Sequence, residues 1–160
     1  MRVPTTMLEI VDGHTGQRLH EAQQLFKEYA ASLKINLEFQ CFDKELATLP
    51  GRYRPPTGRL LLACWNGQTA GCVALRRFSG GICEMKRLYV KPTHRGEAIG
   101  RRLALAVIQE AKTIGYHCMR LDTLSTMSEA MALYQMLGFT RIESYCDNPV
   151  EGALFFELKL

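Results

Sequence analysis

Apolar side chains recur along this chain in two rhythms, one near 3.6 residues and one near two. Leu19, Ala22, Leu25, Phe26 and Tyr29 fall at three- and four-residue spacings, which predicts an amphipathic helix over residues 15–33. Before it, residues 8–11 read as a short strand ended by Asp12-Gly13. Residues 43–49 predict a second short helix, with Asp43 as its cap and Pro50-Gly51 stopping it. After a loop over residues 50–58 the rhythm shortens. Strands are expected at Arg59–Trp65 and residues 69–78, joined by Asn66-Gly67, a pair that tolerates the positive φ of a tight hairpin. Ser79-Gly80-Gly81 turns the chain into a further strand, Ile82–Val90.

The second half changes order. A helix is expected over residues 98–114, with Ile99, Leu103, Val107 and Ala111 on one stripe and Gly115 beyond its end. Residues 116–122 read as a buried strand. Thr126 and Glu129 fit a capping box opening a helix that runs through Leu137 and stops at Gly138. Strands at residues 139–145 and 153–160 finish the chain. Strand–helix–strand–helix–strand after an antiparallel meander implies a parallel pair inside an otherwise antiparallel sheet. The fold class is α/β with α+β character, and residues 1–160 form one domain. The loop at 50–58 is no domain linker, because the segment before it is too short to supply its own core.

Composition agrees with that picture. The 160 residues are 47% apolar and 22% charged, as in a globular domain, and the formal charge of +4 favours anionic ligands without making a basic stripe. No nucleic-acid partner is therefore expected. Apolar runs such as residues 60–64 are too short to cross a bilayer, and residues 1–10 contain no signal-peptide core. Cys41, Cys64, Cys72, Cys83, Cys118 and Cys146 form no CxxC pair, and His14, His20, His94 and His117 lack metal-ligand spacing. The expectation is reduced thiols packed as small hydrophobes, no metal, and a cytoplasmic location. A cysteine nucleophile with a distant histidine stays open, without a residue to select.

The chemistry concentrates between Glu84 and Leu103, where a strand leads through a basic loop with two glycines into a helix. Gly96 and Gly100 let backbone approach a ligand, and the first helical turn offers unpaired amides and a positive dipole end. Arg95, Arg101 and Arg102 add charge, so a pyrophosphate suits the corner. The bland alternative is a turn beside a solvated face. The glycines read G-x-x-x-G, so neither GxGxxG nor a P-loop is present.

Arg95-Gly-Glu-Ala-Ile-Gly100 resembles the Gln/Arg-x-x-Gly/Ala-x-Gly/Ala motif of the GNAT superfamily of N-acetyltransferases, and Ala130-Met-Ala-Leu-Tyr-Gln-Met-Leu-Gly-Phe139 resembles that family's A-x-x-L-Y-x-x-x-G-F signature. The order of elements on both sides matches over nearly the whole chain. The resemblance implies a mixed six- to seven-stranded sheet with helices on both faces and a central parallel pair that splays apart. It implies acetyl-CoA as co-substrate, with the pantetheine along Leu88, Tyr89 and Val90 and the pyrophosphate wrapped by Arg95, Gly96, Glu97, Ala98, Ile99, Gly100 and Arg101. Two positions depart from the pattern. Ala98 stands where glycine is common, and Met127 where an asparagine often touches the cofactor arm, leaving Ser125 or Ser128 as its substitute.

An amine must shed its proton before attacking a thioester. Glu84 lies eleven residues before Arg95, the offset of a catalytic glutamate in histone-type relatives, and is the candidate base. Its alternative is an ion pair with Lys86 or Arg76. Tyr134 matches the family's general acid, or else is core packing, and the amide near Leu88 is placed to steady a developing oxyanion. Phe39, Arg52, Tyr53 and Arg54 would shape the acceptor side and hold a carboxylate, or else form a solvated basic loop. The expected activity is acetyl transfer to a primary amine of a small molecule or amino acid. Open alternatives are a silent acyl-CoA sensor and a protein lysine or N-terminal acetyltransferase, and a homodimer fits the resemblance.

Overall fold

The computed structural model of the chain describes residues 6–33, 37 and 41–160. Its elements run β1 Leu8–Asp12, α1 Gly16–Leu33, α2 Phe42–Thr48, β2 Arg59–Trp65, β3 Gln68–Ser79, β4 Ile82–Val90, α3 Ile99–Ile114, β5 Cys118–Leu124, α4 Ser128–Met136, β6 Thr140–Ile142 and β7 Ala153–Lys159. All seven strands form one sheet in the order β1-β2-β3-β4-β5-β7-β6. Every neighbouring pair is antiparallel except β4–β5, which is parallel. The strand-to-strand turn between β2 and β3 has Asn66 at φ 49° and Gly67 at φ 83°, the left-handed pair that matches strand twist in a two-residue hairpin.

Alternation along the strands divides the apolar residues between two layers. Leu61, Val73, Leu75, Cys83 and Met85 face a core completed by the Ile99, Leu103, Val107 and Ala111 stripe of α3 and by Tyr134 of α4. Leu60, Leu62, Cys72, Ala74 and Tyr89 face the other layer, where Ala22, Leu25 and Phe26 of α1 pack. Burying a leucine-sized side chain stabilises by about 1.5–3 kcal/mol, so each stripe holds its helix to the sheet.

Several element ends differ from the sequence expectation. Cys41, at φ 54°, occupies the N-cap of α2, and Asp43 lies in the first turn, where its charge still favours the helix dipole. At α4 the N-cap is Met127 with no side-chain cap bond, so the Thr126–Glu129 capping box does not form. β5 starts at Cys118 rather than residue 116, because Tyr116 is spent on the turn: its amide returns to Ala111 and its hydroxyl donates to Thr57 O at 2.6 Å. β6 covers three residues instead of seven, and the chain beyond it swings Tyr145 toward β4. All six cysteines are free; Cys72, Cys83 and Cys118 are buried, whereas Cys41 is exposed. Among the described residues no metal-ligating cluster is found, and no helix is long and apolar enough to cross a membrane.

Candidate active site

Two irregularities in β4 create the site. The first is where its pairing stops. β4 meets β5 only through Ile82, Cys83 and Glu84 against Cys118, Met119 and Arg120, while β5 stays paired with β7 as far as Leu124. From Met85 onward the two parallel strands diverge, leaving a wedge edged by unpaired β4 backbone. The second is a bulge. Between Ala74↔Lys86 and Cys72↔Tyr89 the ladder places one extra residue on β4, and Arg87 sits there at φ 60°. A left-handed non-glycine residue costs about 1–2 kcal/mol, so the surroundings must hold it. Glu45 of α2 does so, accepting from Arg87 Nε at 2.9 Å and Nη2 at 3.3 Å, and the guanidinium lies over the Tyr29 and Phe42 rings.

At the outer end of the wedge the chain leaves Val90, turns through Pro92–His94 and enters α3. Gly96 has φ 87° and Ala98 φ 59°, so the path uses two left-handed steps in three residues. The first helical bond is Arg102 N to Ala98 O, and among the described residues no acceptor pairs with the amides of residues 96–101. Six consecutive N–H groups are therefore left without an acceptor at a helix N-terminus. A cleft of about 570 Å³ runs from there along β4 to α4. Leu88, Tyr89 and Val90 form one wall, and Arg95, Gly96, Ala98, Ile99, Gly100 and Arg101 form its end. Glu97 is exposed and does not line it. Nor does Ser125, whose amide pairs with Gly152 O; Ser128 lines it instead. Tyr29, Ser32, His94, Thr126 and Met127 also line the cleft. Their sequence context carried no signal for α1, whose contribution comes only from tertiary packing.

At the inner end lies a small second cavity of about 40 Å³, large enough only for the reacting end of a molecule. Tyr29, Leu88 and Met127 line both cavities and mark their junction. Tyr134 also lines the inner one, its ring packed on Phe139 and Phe156. Burial pushes its phenol well above the ordinary tyrosine range, with Tyr29 and Asp122 adding to the effect, so it remains a protonated donor. Lys86 and Asp122 line the same cavity, with Lys86 Nζ 3.2 Å from Asp122 Oδ1, and Asn148 Nδ2 donates to Asp122 Oδ2 at 3.0 Å.

Glu84 sits two residues before Lys86 on β4. It is 2% exposed and lines neither cavity. Arg76 reaches Oε1 at 2.8 Å, Tyr145 donates to Oε2 at 2.6 Å, and Lys86 Nζ lies 3.9 Å away. Burial first, then the Glu84 charge, hold the Tyr145 phenol protonated far above its usual range. The loop residues are likewise elsewhere. Arg52 is exposed and donates to Arg77 O at 2.7 Å, Arg54 is exposed, and Tyr53 is buried with its hydroxyl on Glu45 Oε1 at 2.5 Å. None of the three lines a cavity, and Phe39 lies outside the described residues.

This arrangement has close relatives. The acetyltransferase (GNAT) family profile matches residues 19–139. An uncharacterised N-acetyltransferase of Schizosaccharomyces pombe is 40% identical over 146 residues, covering 90% of each chain. A GNAT-family acetyltransferase of Staphylococcus aureus superposes with a TM-score of 0.78 at 20% identity, covering 96% of this chain and 99% of that one. The PaiA N-acetyltransferase of Thermoplasma acidophilum, solved in complex with coenzyme A, gives 0.71 at 20% identity, covering 96% and 99%. With the profile spanning most of its length and so similar a relative along nearly all of it, the chain belongs to the acetyltransferase (GNAT) family and is an acyltransferase.

Proposed function

We propose that this acyltransferase moves the acetyl group of acetyl-CoA onto a primary amine of a small molecule or amino acid. The observation that carries the reading is the wedge itself: six unpaired amides at one end, a protonated buried phenol at the other, and between them two adjoining cavities that share Tyr29, Leu88 and Met127. The residues present fit a coenzyme A. A Cβ built on Gly96 would meet nothing within 4 Å, so the loop backbone is open to a ligand, and Arg95 and Arg101 flank it. Residues 96–101 would hold the pyrophosphate, and the unpaired edge of Leu88, Tyr89 and Val90 would hold the pantetheine arm. When bound, acetyl-CoA supplies an acetyl group already activated as a thioester.

The chain's own residues then supply proton handling and position. Tyr134 holds a proton at its phenol oxygen for the departing sulfur. The Leu88 amide belongs to the stretch of β4 that β5 leaves unpaired and is the candidate donor to a developing oxyanion. The Glu84 carboxylate does not reach the cavity, so its part is to hold Arg76, Tyr145 and Lys86 in place. The small inner cavity favours a compact amine, and the six free thiols favour the cytoplasm.

Thiol release from acetyl-CoA against amino acids, polyamines, aminoglycosides and a lysine peptide tests this. Amine-dependent release, with coenzyme A raising the melting temperature, is expected. Binding without release for every amine would leave an acyl-CoA sensor, and no binding at all would remove the reading.

A further inference from the structure

We infer that Asp122, rather than Glu84, takes the proton from the attacking amine, with Lys86 and Asn148 as the residues that position it. The inference rests on the acetyl-transfer reading above and assigns the proton acceptor within it. A general base must come within hydrogen-bond reach of the nitrogen it serves. Of the two carboxylates in this network, only Asp122 lines the inner cavity, which Tyr134 lines too. Glu84 spends one oxygen on Arg76 and the other on Tyr145. Asp122 uses one bond per oxygen, to Lys86 Nζ at 3.2 Å and Asn148 Nδ2 at 3.0 Å. A carboxylate accepts about four hydrogen bonds, so each oxygen keeps a free lone pair.

The origin of this geometry is the strand period. Leu121 is buried in the core on one face of β5, and Asp122 therefore emerges on the other, where the splay of β4 has opened space. Lys86 is anchored between the two acids, 3.9 Å from Glu84 and 3.2 Å from Asp122, so Glu84 and Arg76 fix the cation that fixes Asp122. Asn148 is fixed in turn by the Val150 amide, which donates to its Oδ1 at 3.0 Å. The step then balances. The amine, neutral on arrival, forms its nitrogen–carbon bond as the carbon–sulfur bond breaks. Asp122 accepts the proton leaving nitrogen, Tyr134 gives one to sulfur, and the proton on Asp122 restores the phenol.

Asp122→Asn is nearly isosteric and tests the assignment, with the coenzyme A-induced melting shift as the check on folding and binding. A fall in kcat of about 10²–10⁴-fold is expected at unchanged KM for acetyl-CoA. In Asp122→Ala, added formate or acetate should restore part of the turnover, which a structural role would not predict. Should these variants not fold, Asn148→Ala reads the same site, with a five- to tenfold fall in kcat expected at unchanged KM for acetyl-CoA. The inference is overturned by wild-type kcat in Asp122→Asn or Asn148→Ala, or by a dead Asp122→Ala that binds coenzyme A but ignores carboxylates. In those cases acetyl transfer by the wild-type enzyme still stands. A wild-type protein that transfers to no amine would take down both.

Discussion

The two ends of the wedge differ in how far the chain travels to build them. At the outer end, the strand end, turn and helix start lie within residues 88–101, and the amides that meet there are consecutive. Such a corner needs only a strand, a turn and a helix to form. The inner cavity draws Tyr29 from α1, Lys86 and Leu88 from β4, Asp122 from β5, Tyr134 from α4 and Asn148 from the segment before β7. Of those elements β5 and α4 are joined by the short connection 125–127, and the others are separated by long stretches of chain. The lesson is that anion capture here is a property of local backbone, whereas proton handling is a property of tertiary packing.

The contrast breaks most visibly if a residue remote in sequence damages only the inner end. Glu45→Ala removes the carboxylate that the Arg87 guanidinium reaches at 2.9 Å, and breaking a buried pair costs about 3–5 kcal/mol. Urea unfolding should show a loss at or near the lower value, since Glu45 is partly exposed. A change below about 1 kcal/mol would mean the bulge holds without its partner. Next in size, Tyr134→Phe should lower kcat by about 100-fold with coenzyme A affinity intact. Unchanged turnover across the pH range would rule out its acid role.

At the outer end the expected effects are smaller. Gly96→Val forces a β-branched residue into φ 87°, at a cost of about 1–2 kcal/mol. Titration calorimetry should show coenzyme A binding weakened about tenfold, with kcat at saturation retained. Ala98→Gly should act in the opposite direction. It relieves the left-handed φ of 59°, offset by the greater freedom of glycine in the unfolded chain, for a net gain of roughly 0.5–1 kcal/mol. A loss of stability there would contradict the strain argument.

The smallest effect concerns the thiols. Burial raises Cys118 to about 11 and Cys83 to about 12, above the ordinary thiol value of 9.0. The fold thus favours the neutral thiols. Their contribution is complete below the ordinary thiol value and is lost as pH rises through the raised ones. A thiol reagent at pH 8 should label exposed Cys41 first and reach Cys83 and Cys118 only on unfolding. Equal labelling rates would show that the core opens readily.

Much of this was legible in the residues. The period-two runs marked β2, β3 and β4, and the α3 stripe lies where its spacing put it, since those patterns report a single buried face. The residues read as a phosphate corner line one cleft, apart from Glu97 and Arg102, because they are contiguous and their geometry is local. Glycine's usual place in the motif also has its reason here: Ala98 occupies a left-handed step. The caps were less legible. Asp43, Thr126 and Glu129 had suitable chemistry, but capping depends on φ and ψ at one residue, which the approach of neighbouring elements decides.

The sequence by itself determined the sheet, the flanking helices and the amide corner, because hydrophobic period and turn chemistry act over a few residues. Only the tertiary structure decided which acid faces the cavity. Glu84 and Asp122 are both carboxylates on central strands, and nothing within a few residues of either separates them. Their difference arises where β4 and β5 part: Glu84 lies inside the last paired residues, closed off by Arg76 and Tyr145, and Asp122 lies just beyond, where the strands have opened.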